Sequence, residues 1–443
     1  MTNHRFRPPR RGTLAGAATA AALVLLAAPA LALQPVTEFL EHAKTWNPQN
    51  RAAQATTVER DAEVNVSTGG LLPSLTANGI YTRNQYEVNT GALIGGVLPP
   101  GTPNIVIQPL NQLDANITLT VPIINVANWD RRDVAKASLA GARASEANAE
   151  LSVRKNVLRD YYTLLGDEAV LLSATKNAEV AQHNVQLARD RKESGTGSEL
   201  DVQRALADQA KAAQSVTAAA LAVTNTRHDL YSLSGLVAEP ATAFPEDDLH
   251  DESPIEQWTG HAAELPSVQT AVANRVTAEE NVKVAKGAWL PSLAGSAEEK
   301  FTNATAFVGG HTAVYLLQLT ATWKLDTTIS PQVRAQSAAA AAARANEDQA
   351  RKDVEDAVFR DWQQVHADID SARSARVQVT ATQLAASLAQ DRYESGVATQ
   401  LDVLQARQDA FSADVSRIQA DADLAYARLA LRLDSGLLAK ETR

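Results

Sequence analysis

A short motif occurs twice in this chain, and this duplication limits the folds that the chain can adopt. Residues 190–202 read DRKESGTGSELDV, and residues 391–403 read DRYESGVATQLDV, 201 positions later. The same offset relates residues 157–161 to residues 358–362, so the register extends well beyond the motif. The sequence therefore predicts an internal twofold repeat, with two copies of one unit of roughly 200 residues each.

A second match lies at a larger offset and places an insertion in the first copy. Residues 72–75 read Leu-Pro-Ser-Leu, 218 positions before the same four residues at 290–293. The extra residues must therefore lie between 75 and 157. We expect a signal sequence at 1–32, a first repeat at 33–234, a connecting segment at 235–264, a second repeat at 265–437 and a tail at 438–443.

The N-terminal residues have the features of a secretory signal. Four arginines precede an apolar stretch that ends in Ala30-Leu31-Ala32, a cleavage site of the A-x-A type. An uncleaved membrane anchor is the alternative. No later run of 18 apolar residues predicts a transmembrane helix. Cysteine is absent, which excludes disulfides and thiolate metal sites. Cleavage would change the net charge from −10 to −14, which makes nucleic acid an unsuitable partner.

Apolar and polar residues alternate with period two in four segments. We expect strands at about 73–88, 112–123, 291–307 and 313–325. Segments of about ten residues with one apolar face are typical of a transmembrane β-barrel, although a soluble antiparallel sheet fits the same pattern. A Gly/Pro-rich loop at 91–109 joins the first two strands, and a tight turn at Val308–His311 joins the last two.

Long helical segments follow each strand pair. We expect them at Trp129–Lys192 and Val333–Glu394, with partner helices at Ser198–Leu233 and Thr399–Leu433. Shorter helices are expected before the strands, at Val36–Ser67 and Leu265–Lys286. About 60 residues at ~1.5 Å each would span roughly 90–100 Å, and such helices need lateral neighbours along their whole length.

Four strands are too few to close a membrane barrel, since the smallest barrels made by one chain have about eight. Open strand edges in lipid would leave backbone groups unpaired. Several chains must therefore contribute to one barrel. Three chains would supply twelve strands, and from this argument alone two or four chains remain open.

The duplicated element order, the Leu-Pro-Ser-Leu junctions and the paired turns closely resemble the TolC-type outer membrane efflux protein family. The resemblance covers residues 36–437. It implies an α+β, mainly α fold, with a long antiparallel α-helical barrel and a twelve-stranded β-barrel in a homotrimer. It further implies location in the outer membrane, in contact with its lipid, and extension into the periplasm. A periplasmic adaptor and an inner-membrane transporter are the implied protein partners.

Two turns between long helices are the candidate functional sites. Gly195 and Gly396 are expected to end helices, and Ser198–Asp201 and Thr399–Asp402 fit capping boxes. Carried over from the resemblance, the adaptor-docking residues would be Gly195, Thr196, Gly197, Gly396, Val397 and Ala398.

The resemblance also implies a pore aperture at the second turn. Asp402 matches a position where family members place an acidic ring. Gln405 stands where some members carry a second acid, and Ala398 where some carry a base, so we expect a less charged constriction. Asp201 is the weaker aperture candidate, because its helix is expected to face outward.

The sequence contains no motif that indicates catalysis. There is no phosphate-binding loop, GxSxG or HExxH, and Asp247–Asp248 are expected to lie in a solvated loop. We therefore expect no enzyme activity, metal or cofactor. The leading hypothesis is a passive exit duct for small toxic molecules, and the alternative is the channel of a type I polypeptide secretion system. A periplasmic adaptor or a surface fibre fits less well, because the chain has two hairpins and two separated strand pairs.

Overall fold

The computed structural model describes residues 33–93, 95–96, 100–101, 105–240, 244, 246–305 and 310–437. The expected signal sequence and C-terminal tail lie outside the described residues, as does part of the expected turn at Val308–His311. The described part of the chain is mainly α-helical, with a four-stranded sheet and a small two-stranded sheet.

The helices and strands are numbered in chain order. The helices are α1 Val36–Trp46, α2 Pro48–Gly69, α3 Thr90–Leu93, α4 Val126–Glu193, α5 Glu199–Ser234, α6 Pro266–Gly287, α7 Ile329–Glu394 and α8 Gln400–Asp434. The strands are β1 Ser74–Arg83, β2 Val88–Asn89, β3 Val106–Gln108, β4 Asn111–Ile124, β5 Ser292–Thr302 and β6 Ala313–Thr322. Two 3-10 turns, Ile255–Gln257 and Thr259–Glu264, precede α6.

The expected single helix from Val36 to Ser67 is wrong, because the chain breaks between α1 and α2. Proline has no N–H and disfavours the helical conformation in the residue before it. Asn47, which precedes Pro48, is accordingly extended, with ψ 126°. Its side chain accepts a hydrogen bond of 2.9 Å from the N–H of Gln49 and so caps α2.

The long helices α4 and α7 have 68 and 66 residues and so span roughly 100 Å each. Both begin earlier than expected. The Asn125 side chain caps α4 by accepting a hydrogen bond of 3.1 Å from the N–H of Asn128. Pro331 lies in the first turn of α7, where proline is tolerated. The expected partner helices are confirmed as α5 and α8.

The long helices pack side by side. α4 contacts α1, α2, α5, α6 and α8, and α7 contacts α6 and α8. Slender apolar side chains fill these contacts, including Val157 and Leu164 on α4 and Val365 on α7. α7 also exposes apolar residues, among them Val377 and Leu384, so one face of this helix has no partner within the described chain.

The four-stranded sheet is antiparallel with the order β1-β4-β5-β6, so β4 and β5 join the two halves of the chain. β1 and β6 form its edges and are exposed along their whole length. The first expected strand, 73–88, is too long. β1 ends at Arg83, where the Asn84 amide donates a 2.8 Å hydrogen bond to the carbonyl of Pro109. The expected loop at 91–109 contains β3 and most of α3.

The strand register gives the sheet one largely apolar face. Leu119, Ala297 and Leu317 are neighbours on that face. Glu299 is the exception, since it lies on the same face between Ile117 and Tyr315. Among the helices in the described ranges, none is long and apolar enough to cross a membrane.

Candidate functional site

The turn between α4 and α5 reverses the chain over residues 194–198. Gly195 has φ 78°, in the left-handed region that glycine adopts at little cost. The N–H groups of Thr196 and Gly197 both donate to the carbonyl of Arg191, each at 2.9 Å. The expectation that Gly195 ends the helix is therefore confirmed.

The turn between α7 and α8 uses the same hydrogen bonds. Gly396 also has φ 78°. The N–H groups of Val397 and Ala398 donate to the carbonyl of Arg392 at 2.8 and 3.1 Å. In each turn a glycine is followed three residues later by a hydroxyl residue, Ser198 or Thr399, and this spacing was sufficient to predict both turns.

Both expected capping boxes are present. Ser198 Oγ accepts from the N–H of Asp201 at 3.1 Å, and Asp201 Oδ2 accepts from the N–H of Ser198 at 3.2 Å. The corresponding distances between Thr399 and Asp402 are 3.3 and 2.8 Å. Each box satisfies N–H groups at the start of a helix that would otherwise lack partners.

Asp402 carries a negative charge at neutral pH. The hydroxyl and then the N–H of Thr399 hold the pKa of the Asp402 carboxyl below its usual range, and Arg392 adds a smaller effect. The side chain is nevertheless exposed. Asp402 can therefore cap α8 and present charge to solvent at the same time.

The other aperture candidates differ in their surroundings. Gln405 is exposed on α8, and its Nε2 donates a 2.9 Å hydrogen bond to Oδ1 of Asp409. Asp409 is exposed as well. An acid therefore does follow Asp402 on this side of α8, but one helical turn beyond Gln405, the position that the family resemblance implies. Asp201 is only half-exposed on α5.

Apolar side chains are exposed at both turns. Val397 is 69% exposed, and Leu200 and Leu401, at the starts of α5 and α8, are 56% and 53% exposed. Exposed apolar residues at both turns fit a surface that another protein covers.

The structure brings the two turns together through Arg191, a residue that sequence reasoning missed. Its guanidinium lies 4.3 Å from the ring centroid of Tyr393 and donates a 2.7 Å hydrogen bond to the Tyr393 carbonyl. A longer bond of 3.4 Å reaches the carbonyl of Glu394. The available signal was a difference between the copies, because Lys192 occupies the position that matches Tyr393.

A second tie between the halves lies further along α8. Arg407 is partly buried and contacts Asp208 on α5 at 3.4 Å and the carbonyl of Asn177 on α4 at 3.2 Å. Burial lowers the pKa of the Arg407 guanidinium, and the Asp208 carboxylate opposes this effect. α8 is thus fixed to both helices of the first turn.

Asp247, Asp248 and His250 form one group in the described ranges whose ligand atoms, within 4.8 Å of one another, could hold a metal ion. The guanidinium of Arg428 already contacts both oxygens of Asp247, at 2.9 and 3.0 Å, and also binds Glu252. The cluster therefore anchors residues 246–264 to α8. The expectation that both acids lie in a solvated loop is confirmed for Asp248, which is exposed. It is wrong for Asp247, because that side chain is partly buried against Arg428.

The chain is similar to one outer membrane efflux protein in sequence and to two outer membrane proteins in structure. Outer membrane efflux protein BepC of Brucella suis biovar 1 (strain 1330) is 27% identical over 259 residues, which are 58% of this chain and 57% of that relative. The crystal structure of the CmeC outer membrane channel of Campylobacter jejuni has a TM-score of 0.77 at 16% identity, and the match covers 91% of this chain and 86% of CmeC. The outer membrane protein VceC of Vibrio cholerae has a TM-score of 0.75 at 16% identity, with 90% and 96% covered.

The two structural matches establish the fold, and a family model establishes the family. The model described as outer membrane efflux protein matches residues 39–236 and 262–436, which together are most of the chain. The protein therefore belongs to the outer membrane efflux protein family, whose members are channels of the outer membrane rather than enzymes.

Proposed function

We propose that three copies of this chain form a passive exit duct for small toxic molecules. Their strands would close a twelve-stranded β-barrel in the outer membrane, and their long helices would form an α-helical barrel across the periplasm. A periplasmic adaptor would dock at the two turns, and an inner-membrane transporter would supply the energy.

The observation that carries this proposal is the pair of open edges on the four-stranded sheet. β1 and β6 are exposed along their whole length, and an unpaired strand edge is unfavourable in lipid because its backbone groups lack partners. Edge pairing between copies removes every open edge once the ring closes. The exposed apolar residues of α7 would be covered by the helices of a neighbouring chain in the same ring.

The element order supports an internal repeat, with copies at 33–234 and 265–437. Each copy contains a shorter helix, a strand pair, a helix of more than 60 residues and a capped partner helix. The segment at 235–264 would connect the copies, and Arg428 holds it against α8.

We further propose distinct roles for the residues of the two turns. Asp402 and Gln405 would line the aperture, and Asp201 would support it. Docking would use Gly195, Thr196, Gly197, Gly396, Val397 and Ala398, since Val397 offers an exposed apolar contact beside a rigid turn.

A substitution at Val397 tests the docking role without changing the fold. Val397→Asp introduces charge into an exposed apolar patch, while its backbone hydrogen bond to Arg392 can be retained. In a deletion strain, this variant should reach the outer membrane at the normal level but fail to restore resistance to toxic compounds. Thr196→Asp introduces the same charge at the corresponding position of the other turn. The resistance that this variant restores measures how much the first turn contributes to adaptor docking.

The same deletion strain separates the two transport hypotheses. Loss of resistance to small compounds with an unchanged set of secreted polypeptides supports the efflux duct. Unchanged resistance together with a polypeptide missing from the culture medium would instead assign the channel to type I secretion.

A further inference from the structure

Two carboxyl groups face each other where α7, α8 and α4 meet. Asp361, near the middle of α7, lies beside Asp434, the last residue of α8. Lys155 on α4 forms an ion pair with Asp434. The cluster is far along the helices from the two turns, and neither docking nor the aperture uses it.

A buried carboxyl oxygen without a hydrogen-bond partner favours a proton in this cluster. Asp361 Oδ2 is buried and has no donor among its neighbours. Two ionised carboxylates in contact repel each other, and Lys155 supplies only one positive charge. A proton on Asp361 Oδ2 that is donated to Asp434 satisfies the buried oxygen and removes the repulsion.

Charged and titratable groups surround the pair on every side. Arg360 lies on α7 itself, Tyr426 lies on α8, and Arg159 and Asp160 lie on α4. Burial has the largest effect on Asp361 and, with the hydrogen bond to Asp434 and its charge, raises the pKa of Asp361 to about 7. Lys155 and Arg360 act in the opposite direction but are outweighed.

We propose that Asp361 and Asp434 share one proton, and that this proton holds α7 against the C-terminal end of α8. We call this contact the carboxyl joint. Loss of the proton leaves two negative charges beside one lysine, so the joint loosens as the surroundings become alkaline. The part of the channel that extends into the periplasm thereby becomes sensitive to periplasmic pH.

The first half of the chain provides a matched control. The residue 201 positions before Asp361 is Asp160, but Leu233 stands at the position that matches Asp434. Asp160 instead contacts Arg159 at 3.0 Å. An acid on a long helix is thus present in both halves, whereas the facing acid is present in only one.

The direction of the pH effect follows from proton binding. A folded-state pKa above the unfolded value means that the folded protein binds more protons between the two. The shared proton adds its full amount to the free energy of unfolding at pH values below the ordinary pKa of aspartate, and this contribution is lost as pH rises through about 7. At higher pH the free energy of unfolding does not fall further for this reason.

Thermal unfolding of the full-length protein in detergent, between about pH 5 and 8.5, tests the proposal. The wild-type midpoint should fall by several degrees as pH rises toward neutrality. Asp361→Asn donates a neutral hydrogen bond to Asp434 at every pH, so it should reduce this fall and be the more stable protein at alkaline pH. Burial also raises the pKa of Asp160, so Asp160→Asn should reduce the fall less than Asp361→Asn does. Parallel curves for wild type and Asp361→Asn would overturn the proposal.

Infrared difference spectra between the acidic and alkaline buffers observe the proton directly. The wild type should lose the carbonyl band of a protonated carboxyl with a midpoint at about pH 7, and Asp361→Asn should lack this component. Asp434→Asn covers the case in which Asp361→Asn does not fold. Without its acidic neighbour, Asp361 should release its proton at lower pH, and an unchanged midpoint in Asp434→Asn would contradict the shared proton.

Discussion

At the scale of single residues, Asp402 combines an observed structural role, the cap of α8, with the proposed role at the aperture. Its Oδ2 accepts hydrogen bonds from both the N–H and the hydroxyl of Thr399. These bonds fix the carboxylate at the start of α8 and keep it ionised. In a trimer, three such charges around one axis would favour cations at the aperture.

Two substitutions separate the charge of Asp402 from its cap. Asp402→Asn keeps an oxygen that can accept from Thr399, whereas Asp402→Ala removes both charge and acceptor. We expect both variants to lower the cation preference of single channels in planar bilayers, and only Asp402→Ala to lower the thermal midpoint. Asp201→Asn is the control, and an equal loss of selectivity there would exclude Asp402 as the aperture residue.

The lowered pKa of Asp402 gives a second expectation for the same channels. A folded-state pKa below the ordinary aspartate value keeps the charge, and the stability it contributes, until pH falls through that lowered pKa. Cation selectivity should therefore stay constant from about pH 8 down to 5. A change in selectivity within this range would show that another group controls the aperture.

Arg191 is the residue that fixes the second turn to the first. A lysine keeps its charge but cannot stack on Tyr393 and donate to a carbonyl with the same planar group. Arg191→Lys and Arg191→Gln should therefore both increase single-channel conductance, because the turn that carries Asp402 gains freedom. Lys192→Gln breaks the ion pair with Glu199 at the neighbouring position and should leave conductance unchanged. Wild-type conductance in both Arg191 variants would contradict this role.

The contrast between these residues explains what sequence could predict. Gly195, Gly396 and both capping boxes depend on residues three or four positions apart, so their spacing was sufficient. The contact between Arg191 and Tyr393 joins residues 202 positions apart and depends on how two helix pairs pack. No local pattern contains that information.

At the scale of elements, the same distinction holds for helices and strands. The long helices were predicted well because their apolar positions recur over many turns. The break at Asn47 was missed, since helical spacing continues on both sides of it, although Pro48 was a sufficient local signal. The early end of β1 depends on the contact between Asn84 and Pro109, which only the folded loop creates.

Glu299 is the element-scale exception to the alternation of the strands, and it gives a direct test of which face meets lipid. An acidic group on the lipid face of a barrel is unfavourable, by about 1 kcal/mol or less near a membrane interface. Glu299→Gln should therefore raise the thermal midpoint of the assembled protein in lipid vesicles. Glu298→Gln changes the adjacent residue on the opposite face and should not. Equal effects in the two variants would show that the apolar face is not the lipid face.

At the scale of the whole molecule, the edges of the sheet determine how chains can join into a ring. Each chain offers one free edge at β1 and one at β6, so a closed ring must pair β6 of one copy with β1 of the next. Rings of two, three and four chains would contain eight, twelve and sixteen strands. Local sequence cannot distinguish these numbers, because every copy presents the same two edges, and only the family resemblance favoured three.

Engineered cysteines can count the copies, since the chain has none of its own. A cysteine at Thr76 on β1 would be combined in turn with one at Leu316, Gln318 or Thr320 on β6, which samples the register between copies. Oxidation of the pair in register should link each chain to both neighbours and give covalent trimers as the largest species on a denaturing gel. Each single-cysteine variant should stay monomeric. A cysteine pair at Thr76 and Thr118, which face each other within one chain, should also stay monomeric. Covalent dimers as the largest species would favour eight strands, tetramers would favour sixteen, and an unlinked chain at every register would contradict pairing of the open edges.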